Sequence, residues 1–204
     1  MCRTYALTLA LLSFFLAFTS ARAEQPKPSP YPVSWELKFD NGKPVRIVVD
    51  VPGKSVPEAF WYLPYKVTNN TGQERMFLPI FELADNEGKI TRSDNSVSPS
   101  VIEAIRKSEG NRFIQSSIFI AGELRLGNDE TKYGVAVWPA NNSRMGRFSI
   151  LAGGLSGEFV RIKDTQGKEV TLRKTRQMDF HINGEEVLDK DTAVKEDVPQ
   201  WIMH

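Results

Sequence analysis

The chain is 204 residues long and carries 26 Lys and Arg against 25 Asp and Glu, a formal charge of +1, with one cysteine and two histidines. So even a balance excludes the basic footprint of a nucleic-acid binder. A lone Cys2 excludes an intramolecular disulfide framework, and a domain of this length can bury about 70% of its unfolded surface without staples.

Arg3, the apolar run Ala6 to Phe18 and the small residues of Ala21-Arg22-Ala23 have the form of a cleavable secretory leader, 1–23. The run is shorter than the roughly 20 apolar residues of a membrane span. Cleavage after Ala23 removes Arg3, Arg22 and Cys2, which leaves acids one ahead of bases and no thiol. The expected destination is secreted or periplasmic, and membrane contact is expected only through the leader before cleavage.

Residues 24–32 alternate proline at 26, 28, 30 and 32, which fixes φ and removes backbone donors; they read as an extended spacer. From Val33 the period becomes two. Trp35, Leu37 and Phe39 share a face, Asp40-Asn41-Gly42 reads as a hairpin turn, and Val45 to Val51 as the return strand. In Phe60 to Asn69, Trp61, Leu63, Tyr65 and Val67 share one face. Pro64 cannot donate to a ladder and suggests an edge or a bulge. Met76 to Ala84 aligns Phe77, Pro79, Phe81 and Leu83, and Asp85-Asn86-Glu87-Gly88 closes that strand.

Ser98 to Gly110 departs from this pattern. Ser100 and Glu103 have capping-box spacing, Ile102 and Ile105 share an inward face, and Gly110 ends a short helix near 100–109. Strands are expected again near 113–120, 133–138, 148–152, 157–163 and 168–182, the last two paired across Asp164-Thr165-Gln166-Gly167. One sandwich domain, 33–184, is thus followed by a charged tail, 185–204, with an apolar tip, Trp201-Ile202-Met203. Residues 185–198 hold too little apolar surface to offset their ordering entropy and are expected to be mobile. The tip is expected to fold back onto the sandwich, since a tethered group has a high effective concentration.

Tyr65 to Gly72 resembles the strand and turn of immunoglobulin-like or fibronectin-like modules in bacterial envelope proteins. Gly122 to Glu130 resembles their L-x-P-G-E turn, with Leu126 in the proline's place. Tyr133 to Pro139, Arg147 to Ile150 and Gly154 to Ser156 resemble uncharacterised secreted bacterial proteins of this length. The resemblance implies an immunoglobulin-like two-sheet sandwich, mainly β, and carries no catalytic residue. A closed barrel is the rival architecture.

The chemistry-bearing residues are sparse. His181 and His204 have no metal-ligand spacing, and His204 reads as a frayed end. Gly154-Leu155-Ser156-Gly157-Glu158 misses the nucleophile elbow at its last position and reads as a turn. Asp85 with Glu87, Asp129 with Glu130 and Asp189 with Asp191 read as solvated turns, and no cofactor or metal is expected. Asn69-Asn70-Thr71 and Asn141-Asn142-Ser143 match a glycosylation sequon. Lys168, Arg173, Lys174 and Arg176 form a basic cluster, read as a charged edge. Because Lys174 and Arg176 share parity with Leu172 and Met178, the sheet must bend or bulge there. Phe60, Tyr62, Trp201 and Ile202 are the candidate interaction residues. Alternation sends Phe60 and Tyr62 away from Trp61, either under a helix or into solvent. The functional expectation is an exported, non-enzymatic binding or structural module of the envelope, with an envelope protein or a polysaccharide as partner. The alternatives are a carbohydrate-binding module using exposed rings near 60–62, and a carboxylate-dependent hydrolase.

Overall fold

A computed structural model describes residues 25–95, 97–140, 146–182, 194–196 and 198–204. The expected leader 1–23, Glu24, the sequon at Asn141 and most of the charged tail lie outside the described residues. The fold is mainly β, with two large sheets packed face to face and a helix on the outer side of one.

In chain order the elements are β1 (Lys38–Asn41), β2 (Val45–Val49), β3 (Glu58–Thr68), β4 (Arg75–Phe77), β5 (Ile80–Ala84), β6 (Ile90–Arg92), α1 (Pro99–Glu109), β7 (Gln115–Ser116) and α2 (Ser117–Ile120). They continue with β8 (Gly122–Leu124), β9 (Lys132–Pro139), β10 (Arg147–Gly153), β11 (Phe159–Lys163), β12 (Glu169–Ile182), β13 (Val194–Glu196) and β14 (Gln200–Met203). The first sheet runs β1-β3-β9-β7, with β2 also on β3; the second runs β11-β12-β10-β5-β6, with β13 and β14 on β12.

Period-two alternation builds the layers. Trp61, Leu63, Tyr65 and Val67 of β3 join Phe81 and Leu83 of β5, Phe148 and Ile150 of β10, and Met178 and Phe180 of β12 in the inter-sheet core. Phe60 and Tyr62 point the other way and are covered by Val101, Ile102 and Ile105 of α1. They are 4% and 1% exposed, so no aromatic platform for a sugar stands at 60–62. Burying a large apolar side chain stabilises by about 1.5–3 kcal/mol, which is what α1 gains by covering them.

Four local expectations are corrected. Asp40-Asn41-Gly42 is not a hairpin: β1 pairs Asn41 with Tyr65 and β2 pairs Val45 with Tyr62, both antiparallel to β3. The two segments are one strand with a bulge, placed where Pro64 has no N–H to give. Gly42 donates to the Pro64 carbonyl at 2.8 Å, and a Cβ there would lie 2.9 Å from the Pro64 ring. Close approach, rather than a left-handed turn, is what requires this glycine.

Residues 76–84 are not one strand. β4 pairs with β8, while β5 pairs with β10 and β6, and Leu78-Pro79 separates them. The expected strand 113–120 is two residues of β7 followed by the helical turn α2. The cap of α1 is Ser98, whose hydroxyl accepts from the Ser100 N–H at 3.4 Å with Pro99 opening the helix; Glu103 instead pairs with Arg106 at 3.0 Å. Proline suits this first position because its missing N–H would be unpaired anyway. Gly110 ends α1 in the left-handed conformation, φ 63°.

Candidate functional site: the groove where both chain ends meet

The site begins with a register break. β12 pairs Arg173 with Phe159 on β11 and Arg176 with Ala152 on β10, so Lys174 and Thr175 face the six residues 153–158. The bulge that parity demanded is therefore on the partner strand. Its residues leave the sheet and pair with the segment before β1: Leu37 N–H donates to Leu155 O at 2.8 Å and Gly157 N–H to Trp35 O at 3.0 Å. A Cβ on Gly157 would lie 2.4 Å from Ser34 Oγ and from the Trp35 ring nitrogen, so this crossing needs glycine.

The crossing brings Glu36 and Glu158 to Lys174. The ammonium lies 2.6 Å from Glu36 Oε1 and 3.1 Å from Glu158 Oε2, with side chains 3% (Lys174), 24% (Glu36) and 8% (Glu158) exposed. The expected surface charge at 174 is thus corrected to a buried ion triad. Burial works to lower the Lys174 pKa, but the hydrogen bonds and charges of Glu36 and Glu158 outweigh it and hold the group above the ordinary lysine range. A lysine so held is a cation, not a nucleophile.

Both ends of the domain fasten here. Ser29 N–H donates to Glu158 Oε1 at 2.7 Å, and its carbonyl accepts from Lys174 Nζ at 3.4 Å. The proline segment is therefore tied to the sheet and is not a free spacer. At the other end, β14 lies antiparallel on β12, with Trp201 opposite Arg176 and Met203 opposite Lys174. Lys174 Nζ and the Arg176 guanidinium stand 5.2 Å and 5.3 Å from the Trp201 ring centre, and Trp201 packs half-buried against the inter-sheet core. The tip folds back in cis, as an added strand. Its last residue is not frayed: His204 and Arg173 exchange backbone hydrogen bonds at 2.8 and 3.0 Å, and His204 Nε2 meets Glu82 at 2.8 Å. Val194–Glu196, inside the segment expected to be mobile, pairs with Phe180–Ile182.

Between the proline segment and β14 lies a groove of about 530 Å³, lined by Pro26, Pro28, Gln177, Gln200, Trp201, Ile202 and Met203 among others. Two of the sequence candidates, Trp201 and Ile202, line it; Phe60 and Tyr62 belong to the helix layer. The Tyr62 hydroxyl donates to Glu109 at 2.7 Å, and burial together with that carboxylate pushes its pKa above the ordinary phenol range. Sequence reasoning missed Ser29, Glu36 and Glu158. Lys174 had a signal in its inward parity; Glu36 and Glu158 had none, since each is an unremarkable acid until the crossing forms.

Two further motifs are engaged within the fold. Ser156 Oγ accepts from Glu158 N–H at 3.1 Å, within a turn. Asn69 of the first sequon is 1% exposed; its amide donates to the Gln73 and Leu124 carbonyls, both at 2.8 Å, and its oxygen accepts from Thr71. Comparison with protein-family models, with curated proteins and with solved structures finds no match for this chain.

Proposed function

We propose that this protein is an exported, non-enzymatic binding or structural module of the cell envelope, and that the terminal groove is its ligand face. The carrying observation is that Trp201, flanked by two cations and packed against the inter-sheet core, lines one groove together with the proline segment. An aromatic ring already packed in place loses little entropy on binding, the general advantage of a pre-organised site. The carboxylates that the fold gathers here support a binding rather than a hydrolytic role, because Glu36 and Glu158 both neutralise Lys174. No helix among the described residues is long and apolar enough to cross a membrane.

A polysaccharide is the ligand class this lining favours. Gln200 offers an amide that both donates and accepts, Gln177 gives its N–H groups to Asp179 and keeps an acceptor oxygen, and Trp201 adds an aromatic surface suited to sugar C–H groups. The test is co-sedimentation of the mature domain with purified envelope polysaccharide, comparing wild type with Trp201→Ala and Gln200→Ala. Binding that weakens in both variants supports the reading. Binding unchanged in both, or no binding by the wild type, overturns the groove as a sugar site.

A further inference from the structure

Between the two sheets, four polar side chains are buried: Tyr65 of β3, Ser93 and Asp94 after β6, and Ser117 of α2. They are 2%, 9%, 9% and 5% exposed. Backbone pairing fixes them. Ser93 N–H donates to Phe81 O in the second sheet and Asp94 N–H to Val137 O in the first, both at 2.8 Å, so this dipeptide stitches the sheets together. Asp94 has φ +62°, the only positive φ among the described non-glycine residues. Backbone of this kind costs free energy and persists where its surroundings over-determine it, often at sites that hold something.

The polar inventory is unbalanced. Asp94 Oδ2 accepts from Ser93 Oγ at 2.7 Å, but Asp94 Oδ1 and the Tyr65 hydroxyl are both buried with no hydrogen-bond partner. Ser117, beside both groups, gives its hydroxyl to Val135 O at 3.3 Å. Only serine hydroxyls, Ser93 bonded to it and Ser117 beside it, offset the buried Asp94 carboxylate, and burial outweighs them and pushes its pKa up. What the cluster offers is a set of hard oxygens: one carboxylate, two serine hydroxyls, one phenol and the Val135 carbonyl.

We propose that Asp94 Oδ1, Tyr65 Oη and Ser117 Oγ form a binding site for a monovalent alkali cation, sodium or potassium. Oxygen-only donors select hard cations over transition metals. A single carboxylate balances a single charge, whereas calcium sites gather several carboxylates. The bound ion would neutralise Asp94 and lock the β6–α1 connection to β9.

The test is thermal unfolding of the mature protein in sodium, potassium or choline chloride at matched ionic strength, with calcium chloride and a chelator as further arms. The expected result is a midpoint higher by roughly 2–4 °C in sodium or potassium than in choline, saturating with concentration. Whichever alkali ion gives the larger rise is the preferred occupant. Asp94→Asn keeps the side-chain shape and tolerates positive φ, and should erase the difference between salts. Tyr65→Phe should shrink that difference, and broadening of the sodium-23 resonance by wild-type protein gives a readout that needs no variant. Equal midpoints in choline and alkali salts would leave only a bridging water and overturn the proposal. So would a cation response retained in Asp94→Asn, or one produced by calcium alone and removed by chelator.

Discussion

Lys174 and Glu36 lie 138 residues apart in the chain and meet at 2.6 Å, through a gap that one strand opens by leaving its sheet. The contact joins the segment before β1 to the centre of β12, and Ser29 and Trp201 fasten onto the same ammonium. Most of what is particular to this sandwich depends on that crossing.

Removing the ammonium leaves the buried Glu158 and the half-buried Glu36 without their cation. Lys174→Met should destabilise the fold by about 3–5 kcal/mol, the scale for breaking a buried pair from one side. Urea unfolding at neutral pH measures it; a loss below 1 kcal/mol would show that water reaches the triad freely.

The same pair sets an alkaline limit. The folded pKa of Lys174 lies above its ordinary value of 10.5, so the folded state holds this proton more tightly than the unfolded chain. The triad's stabilisation is whole below that ordinary value and is lost as pH rises through the folded one. The stability gap between wild type and Lys174→Met should therefore narrow as pH rises through the folded pKa, while Arg173 and Arg176 remain charged throughout. Urea midpoints of both proteins across this range provide the measurement.

The terminal strand is the next lever. Deleting 199–204 removes Trp201 from the core and from both cations, and should lower stability by about 1–3 kcal/mol. Chemical unfolding of the shortened protein checks it. Unchanged stability would mean that β14 contributes nothing in cis.

Tyr65 lies across Gly134, where a Cβ would sit 2.2 Å from the ring. Gly134→Ala should cost about 1–3 kcal/mol through overpacking. Pairing it with Tyr65→Leu should recover part of the loss, and a double-mutant cycle reads that coupling. Strict additivity would place the cost in the backbone instead.

The proposed export predicts a mature protein beginning at Glu24, and the loss of Cys2 with the scarcity of histidine predicts unfolding insensitive to reductant and to chelator. Intact-mass analysis of secreted material should find that terminus. Full-length chain in the membrane fraction would contradict cleavage.

The glycosylation motif at Asn69 shows where local reading ends. Its three-residue pattern is a sequence fact, yet the amide is buried and bonded to two carbonyls, one of them Leu124, 55 residues away. Only the pairing of distant segments could reveal that the side chain is engaged.

Alternation at 61–67 and 60–62 determined which side chains share a face, because strand geometry sends neighbours to opposite sides whatever the partner. The break in β patterning at Ser98 and the glycine at 110 determined the helix, because caps and left-handed turns are satisfied within a few residues, though the cap is Ser98 and not the Ser100–Glu103 pair. The near-equal charge and lone cysteine determined that the core must carry stability. The tertiary structure alone decided that 76–84 divides between sheets, that 40–45 continues rather than turns, and that Ser29, Glu36, Glu158, Lys174 and Trp201 converge. Those outcomes rest on strand register and on which edge a strand meets, and period two is silent about both: it says which way a side chain points and not what it will find there.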